Sequence, residues 1–429
     1  MGARGARYLY RLGLAMLFVW PAVARADSLA RQLDTLFGES GITLDVRPID
    51  PRFPPHTAHF QSASLQQLGV LTSKLSAEAA DFPAISTVPG FTYRYDEKLQ
   101  VFTPVTESLG PIFVERPETL GQGKFEFGVS YAYVDFKKLN GTDLDQLGFT
   151  LAHNDCCGGP NTPDFPAFED DTITVDLNKF ELTSNVVTVA GTYGLTPSLD
   201  LNLLLPIVQT SLKVRGVATI NDTTNPPIHF FNNETQTIQE TRSIDDDHLG
   251  VGDLQLRTKY RLESLGVPSA AVGLTFRFPS GSQDDFQGFG EFTLEPFAVV
   301  GKDFGPVNAH GSVGFQIDPE TLDRTRVRYG GGIAIQAMER IAIVTDVIGS
   351  SNIVTEKDTL DVPQFNQQGD VIGFAPTETR LHADIVDVVP GLKVNVFGSA
   401  VAFFSVFVPV NESGLRADFI PTGGLEMSF

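Results

Sequence analysis

From Lys124 to the C-terminal Phe429 the chain alternates apolar and polar residues in one segment after another. Phe125, Phe127, Val129, Tyr131 and Tyr133 alternate with Glu126, Gly128, Ser130 and Ala132. Val272, Leu274, Phe276 and Phe278 alternate with Gly273, Thr275 and Arg277. Period two means strands with one apolar face. Twelve segments carry it, near 124–137, 173–193, 199–215, 251–262, 270–279, 289–301, 307–317, 327–338, 341–350, 378–396, 401–410 and 417–429. Most can cross a bilayer as a tilted strand, which takes about 9–11 residues. Long polar gaps (138–172, 216–250, 280–288, 318–326, 351–377 and 411–416) alternate with short ones (194–198, 263–269, 302–306, 339–340 and 397–400). Tight turns at one end and longer loops at the other mark a transmembrane barrel, not a soluble sandwich or propeller. The expected fold is all-β: a transmembrane antiparallel up-and-down β-barrel of about twelve strands over 122–429.

The other end of the chain is an address. Arg4, Arg7 and Arg11 precede the apolar run Leu12 to Trp20, and Ala24-Arg25-Ala26 follows. A charged start, a short apolar run and small residues at the cut read as a secretory signal peptide over 1–26. No later apolar run approaches the roughly 18 residues of a membrane helix, so an exported chain that enters lipid must do so as a closed barrel. This places it in the outer membrane of a Gram-negative bacterium, in contact with lipid and lipopolysaccharide. Phe429 resembles the terminal aromatic of outer-membrane barrels, which implies the barrel-assembly machinery as a partner. The net charge of −21 argues against nucleic acid, which needs a basic face. Two adjacent cysteines, Cys156 and Cys157, frame neither a disulfide scaffold nor a four-ligand zinc site. No cofactor and no metal site is expected.

Residues 27–121 read differently. Leu29, Leu33, Leu36 and Phe37 fall at helical spacing behind Ser28, as do Leu65, Leu68, Leu71 and Leu75 behind Ser62 or Ser64. A proline-rich stretch, Pro48 to Pro55, separates them. A hairpin of 91–95 with 99–102 is possible, and would raise the strand number to fourteen if it joined the wall. This N-terminal segment is expected in the periplasm or in the lumen: 85–121 partly inserted as a plug, 27–80 outside the barrel as one or two short helices. Phe91, Tyr93, Phe102 and Phe113 would then line a solute pocket.

Several barrel motifs resemble a known family. Gly250-Val251-Gly252-Asp253-Leu254 looks like its Gly-x-Gly-Asp strand, and Phe278-Pro279-Ser280-Gly281 like its strand-ending Pro-Thr-Gly. Leu205-Pro206-Ile207 resembles its strand-centre proline, and Val408-Pro409-Val410-Asn411 with Gly414-Leu415-Arg416-Ala417-Asp418 its last hairpin. The family is the outer-membrane transporter family of the MetA pathway of phenol degradation, related in style to long-chain fatty-acid and aromatic-hydrocarbon channels. The resemblance covers roughly 120–429. It implies a channel or transporter for passive uptake of small hydrophobic or aromatic solutes. It brings no catalytic motif, and no enzyme activity is expected. The rival reading is a plugged structural or adhesion-type barrel without transport.

If the apolar residues face lipid, Glu126, Asp253, Arg257, Lys259, Arg261, Arg277, Glu291, Glu295, Asp384, Arg416 and Glu426 face the lumen. They are either a pore lining or a salt-bridge network that fills the barrel, and their mixed signs suit the network. Pro206 and Pro296 interrupt strands; either is a strand-end bulge or kinks the wall toward lipid. His153 is the only imidazole near Cys156 and Cys157. Asp245-Asp246-Asp247 suits a hard cation such as calcium but lacks a calcium loop's spacing, and reads as a solvated acidic loop. Ser312 and Asp384 lie two residues from His310 and His382, a routine same-face spacing in strands.

Overall fold

A computed structural model of the protein describes residues 27–45, 57–81, 86, 93–96, 101–104, 109–153, 171–223, 227–267, 269–353, 358–366, 369–379 and 383–429. The wall strands are β1 (Phe125–Leu139), β2 (Thr172–Thr196), β3 (Leu199–Asn221), β4 (Gln239–Val251, continuing as Leu254–Arg261), β5 (Ala270–Phe278) and β6 (Thr293–Phe304). They continue as β7 (Val307–Gln316), β8 (Arg326–Met338), β9 (Ile341–Asn352), β10 (Ile385–Phe397), β11 (Ala400–Pro409) and β12 (Ile420–Ser428). Each pairs antiparallel with the next, and β1 pairs with both β2 and β12, which closes the sheet into a twelve-strand barrel. Phe429 and Phe125 exchange backbone hydrogen bonds of 2.7 and 3.3 Å at the seam. The strands Tyr93–Asp96 and Val101–Pro104 form a separate two-stranded sheet, so the fourteen-strand alternative is not adopted. Residues 378–379 belong to a second hairpin (Asp358–Phe365 with Val371–Thr379) in the loop after β9, and the wall resumes only at Ile385.

The wall is uneven in height. β2 and β3 have 25 and 23 residues, whereas β5 and β12 have 9. The excess rises at the long-loop end as a half-cup. β3 shows the logic. Its even-numbered residues point inward and are buried throughout. On its outer face Leu201, Leu203, Leu205 and Ile207 form the lipid-facing band, and above them come Gln209, Ser211, Lys213 and Arg215. Its inner face runs the opposite way, from Asp200 and Asn202 at the short-turn end to Leu212, Val214, Ala218 and Ile220 in the cup.

The N-terminal helices cover that apolar inner face. Helix α1 (Leu29–Asp34) starts at Ser28, whose Oγ accepts from the Arg31 amide; helix α2 is Gln61–Ala79. Leu29, Leu33, Leu68 and Leu75 are fully buried in one cluster with Ile173, Val175, Leu177, Leu212 and Val214. Gly216 lets Leu36 and Phe37 approach, since a Cβ there would come within 2.7 Å of Leu36. Gln32 donates to Asp246 of β4 at 2.7 Å, and α2 packs on the Asp358–Phe365 strand. Residues 57–80 and α1 therefore sit inside the long-loop mouth, not outside the barrel. The reason is the inverted inner face: strands tall enough to leave the bilayer need an apolar filling, and the leucine stripes supply it.

Candidate functional site

From the cup the chain enters the lumen. Asp81 accepts from Arg326 at 3.1 Å and Arg328 at 2.9 Å, at the long-loop end of β8. Ser86 donates its amide to the Ile112 carbonyl at 2.9 Å. Residues 109–121 then form an arch whose feet stand at the short-turn end. One is Leu109, bonded to Gln336 at 3.1 Å; the other is Leu120, bonded to Asp200 at 2.9 Å. The crown is held at mid-height. Asp346 accepts from the Phe113 and Val114 amides at 3.1 and 3.4 Å, and its other oxygen lies 3.1 Å from His310 Nε2. Glu115 meets Arg257 at 2.9 Å and Lys259 at 3.2 Å, and Lys393 donates to the Pro111 carbonyl at 3.0 Å.

A cavity of about 210 Å³ lies between the end of α2 and this crown. One side is apolar, with Phe113, Val134, Phe136, Phe407 and Ile420. The Phe113 and Phe407 rings meet edge to face with centroids 4.6 Å apart. The other side is charged, with Glu115, Arg257, Arg277, Glu295 and Arg328. Glu78 and Asp81 roof it. Burial pushes the Glu78 carboxyl up to about 7, against the Leu415 amide and Arg326, which pull it down. Burial also acts to raise Asp81, but Arg328 and Arg326 outweigh it and hold that carboxyl well below the usual carboxylate range.

The predicted residues separate into groups. Arg257 and Lys259 hold the arch, as above. Asp253 and Arg277 lie 3.7 Å apart, Glu426 lies 3.5 Å from Lys393, Glu126 accepts from Ser428 at 2.8 Å, and Arg416 pairs with Asp387. Glu295 lines the cavity. Arg261 pairs with Glu263 at 3.0 Å beside a short turn. Glu291 and Asp384 are not lumenal: Glu291 pairs with Arg324 in the long loops, and Asp384 accepts from the Asn352 amide at 3.0 Å on the rim. Of the proposed pocket, Phe113 lines the cavity. Tyr93 and Phe102 lie in the separate hairpin, their side chains outside the described residues, and Phe91 also lies outside them. His382, Cys156 and Cys157 are outside the described residues as well. Missed by sequence reasoning were Asp81, Glu115, Arg326, Arg328, Asp346 and Lys393. Arg326, Arg328, Asp346 and Lys393 stand at inward parity on their strands, which is a readable signal; Asp81 and Glu115 had none.

The Gly-x-Gly-Asp motif is a bulge. Between Ile207↔Val251 and Leu204↔Gln255, β3 spends two residues and β4 three. Pro206 has no N–H to give, and the Gly252 amide donates to the Pro206 carbonyl at 2.8 Å. A Cβ on Gly252 would meet Pro206 at 2.9 Å. Asp253 then accepts from the Gly281 and Phe289 amides at 3.1 and 2.8 Å, and Ser280 donates to the Gly252 carbonyl at 2.8 Å. The two motifs clasp each other. At Pro296 the wall keeps its pairing to β5, but the ladder to β7 lapses between Phe297↔Gly314 and the Leu294↔Ile317 bridge. The aspartates at 245–247 are not a loop: they lie in β4 and alternate faces. Asp245 pairs with Lys213 and Asp247 with Gln209 outside, while Asp246 faces Gln32, so they do not converge on a cation.

Among solved structures the chain is similar to an outer membrane channel from Pseudomonas putida F1, at 16% identity and a TM-score of 0.40, covering 73% of this chain and 97% of that one. It is also similar to the CymD monoaromatic hydrocarbon channel (9% identity, TM-score 0.35, 72% and 89% covered). A third likeness is the P. putida toluene transporter TodX (10% identity, TM-score 0.31, 71% and 89% covered). No curated protein matches the chain. A family model does match, over residues 159–325, which span β2 to β7 with the bulge and its clasp. Across those residues the chain is similar to the family described as a putative MetA pathway of phenol degradation, the one its Gly-x-Gly-Asp strand resembles.

Proposed function

We propose that this barrel is an outer-membrane channel for passive uptake of small hydrophobic or aromatic solutes, captured at the long-loop mouth and held above the arch. The cavity carries the reading. Its 210 Å³ exceeds the roughly 150 Å³ in which a dry cavity takes up benzene. Its facing apolar and charged sides suit a ring bearing a polar group. The family match and the neighbouring hydrocarbon channels agree with this. Of the two wall prolines, Pro296 is the better exit, because Glu295 and Phe297 beside it line the cavity at the ladder's lapse.

The chain's single tryptophan is Trp20, so Phe407→Trp places a reporter against the cavity. Titration with toluene or phenol should quench it saturably, and adding Phe113→Ala should weaken the effect by about tenfold. A linear, non-saturating response in both would end the pocket. Pro296→Ala restores a ladder N–H and should slow solute uptake into liposomes without altering the fold; unchanged uptake removes the lateral exit. The bonded arch favours a second reading, the plugged barrel. Full-length Glu115→Gln separates the two: discrete single-channel conductance above that of the parent chain supports a gated path, and none in either supports the plug.

A further inference from the structure

The long-loop cap brings together three histidines that lie far apart in the chain. His59 lies in the turn before α2, His153 follows the strand Gly148–Ala152, and His229 sits in the loop after β3. All three are at least nine-tenths buried, at 2%, 7% and 2% exposure. Each offers a ring nitrogen within 4.8 Å of the others. His59 Nδ1 and His153 Nε2 are in direct contact, and the His153 and His229 ring centroids are 5.2 Å apart. His229 Nδ1 lies 2.6 Å from Asp171 Oδ2. An ionised carboxylate only accepts, so this pairing puts the proton on Nδ1 and the lone pair on Nε2. Asp171 is itself set by the Thr223 amide at 2.6 Å and hydroxyl at 2.8 Å. Asp222 fixes the loop by accepting from the Ile228 and His229 amides at 2.6 and 3.1 Å.

We propose that His59, His153 and His229 form a three-imidazole site for a divalent transition-metal ion of the zinc class, which clasps the N-terminal segment to the two outer loops. Carboxylate-oriented imidazole is the usual outer shell of such sites. Tetrahedral zinc at about 2.0–2.1 Å from each nitrogen needs donors roughly 3.4 Å apart, so the His59–His153 contact opens slightly on binding. Imidazole donors favour zinc, copper or nickel over calcium or magnesium. The fourth position falls to water or an external ligand. The three ligands come from three separate elements, so the ion would lock the cap rather than one loop.

The test uses the untagged full-length chain in detergent, stripped with chelator. Zinc chloride titrated by calorimetry should bind at one equivalent, and cobalt(II) should develop the visible band of tetrahedral coordination. His153→Gln and His229→Gln should each weaken binding at least tenfold, and Asp171→Asn by about 10–100-fold with all three ligands in place. Folding of each variant is checked by heat-modifiable electrophoretic mobility. A second measurement needs no variant: X-ray absorption at the zinc edge of the parent chain with one equivalent of zinc should show three imidazole nitrogens at about 2.0–2.1 Å. Absence of stoichiometric binding, binding equal in parent and variants, or a zinc shell without three imidazoles overturns the site.

Discussion

The half of the wall that carries the long loops and the half that carries the short turns share strands but have opposite chemistry. Low on β3, Leu201 and Leu203 face out while Asp200 and Asn202 face in. High on the same strand, Lys213 and Arg215 face out while Leu212 and Val214 face in. The side-chain period never breaks; only the surroundings change. Below, lipid lies outside and a hydrogen-bonded arch inside. Above, water lies outside and two helices inside, so the cup is built like the core of a soluble domain. Alternation thus tells which residues share a face, and a separate cue, the polarity of the outer row, tells which medium that face meets.

The two halves are joined by the segment that descends from α2, and Asp81 is its charged anchor. Asp81→Asn leaves the buried Arg326 and the half-buried Arg328 without this counter-charge, a loss of about 3–5 kcal/mol where a buried pair is broken from one side. The cup should feel it first. Hydrogen exchange in α2 should rise by orders of magnitude, while the ladders of β5 to β7 keep their protection. Equal loss in both halves would mean that they form one cooperative unit, and the contrast between them would fall.

Much of the wall was legible. Strand number, alternating turn lengths and the closing aromatic follow from period two, because lipid demands a continuous apolar row on every strand. The legible part stopped where lipid stops. The first half of β4, Gln239–Val251, alternates among polar residues such as Thr241, Arg242, Asp245 and Asp247, so the apolar pattern finds its strand only from Val251. The helices were readable from leucine spacing, but their place was not, because the apolar face that receives them is assembled from strands far along the chain. The same holds for the site. Parity points Lys259 and Arg328 inward, yet their partners Glu115 and Asp81 lie in a segment with no period to read. Glu291 and Asp384 show the limit from the other side: parity was extended into loops, where no strand exists to enforce it.

A pair of substitutions on one face of β3 sharpens the comparison. Leu203→Arg puts a guanidinium in the lipid band and should cost about 2–4 kcal/mol in a folding titration from urea into bilayers. Ser211→Arg, eight residues along the same outer row, should cost nothing measurable, since its neighbours Gln209 and Lys213 already face water. Equal costs would place Ser211 inside the bilayer and move the boundary of the cup upward.

The smallest effect is a pH dependence confined to the cup. The Glu78 carboxyl is raised from 4.5 to about 7 in the folded protein by burial. Below about pH 4.5 it is protonated whether or not α2 is docked, and its contribution is fully present. Between pH 4.5 and 7 the released helix ionises while the docked one does not, so docking weakens as pH rises. Above 7 the loss is complete, on the order of 2–3 kcal/mol. Hydrogen exchange of α2 compared at pH 5 and pH 8, after correction for intrinsic rates, should show this decline. Glu78→Gln keeps an acceptor for the Leu415 amide without a titrating proton and should flatten it. A decline of equal size in the variant would assign the pH response to other groups in the cup, and a parallel decline in the ladders of β5 to β7 would show that the two halves titrate as one.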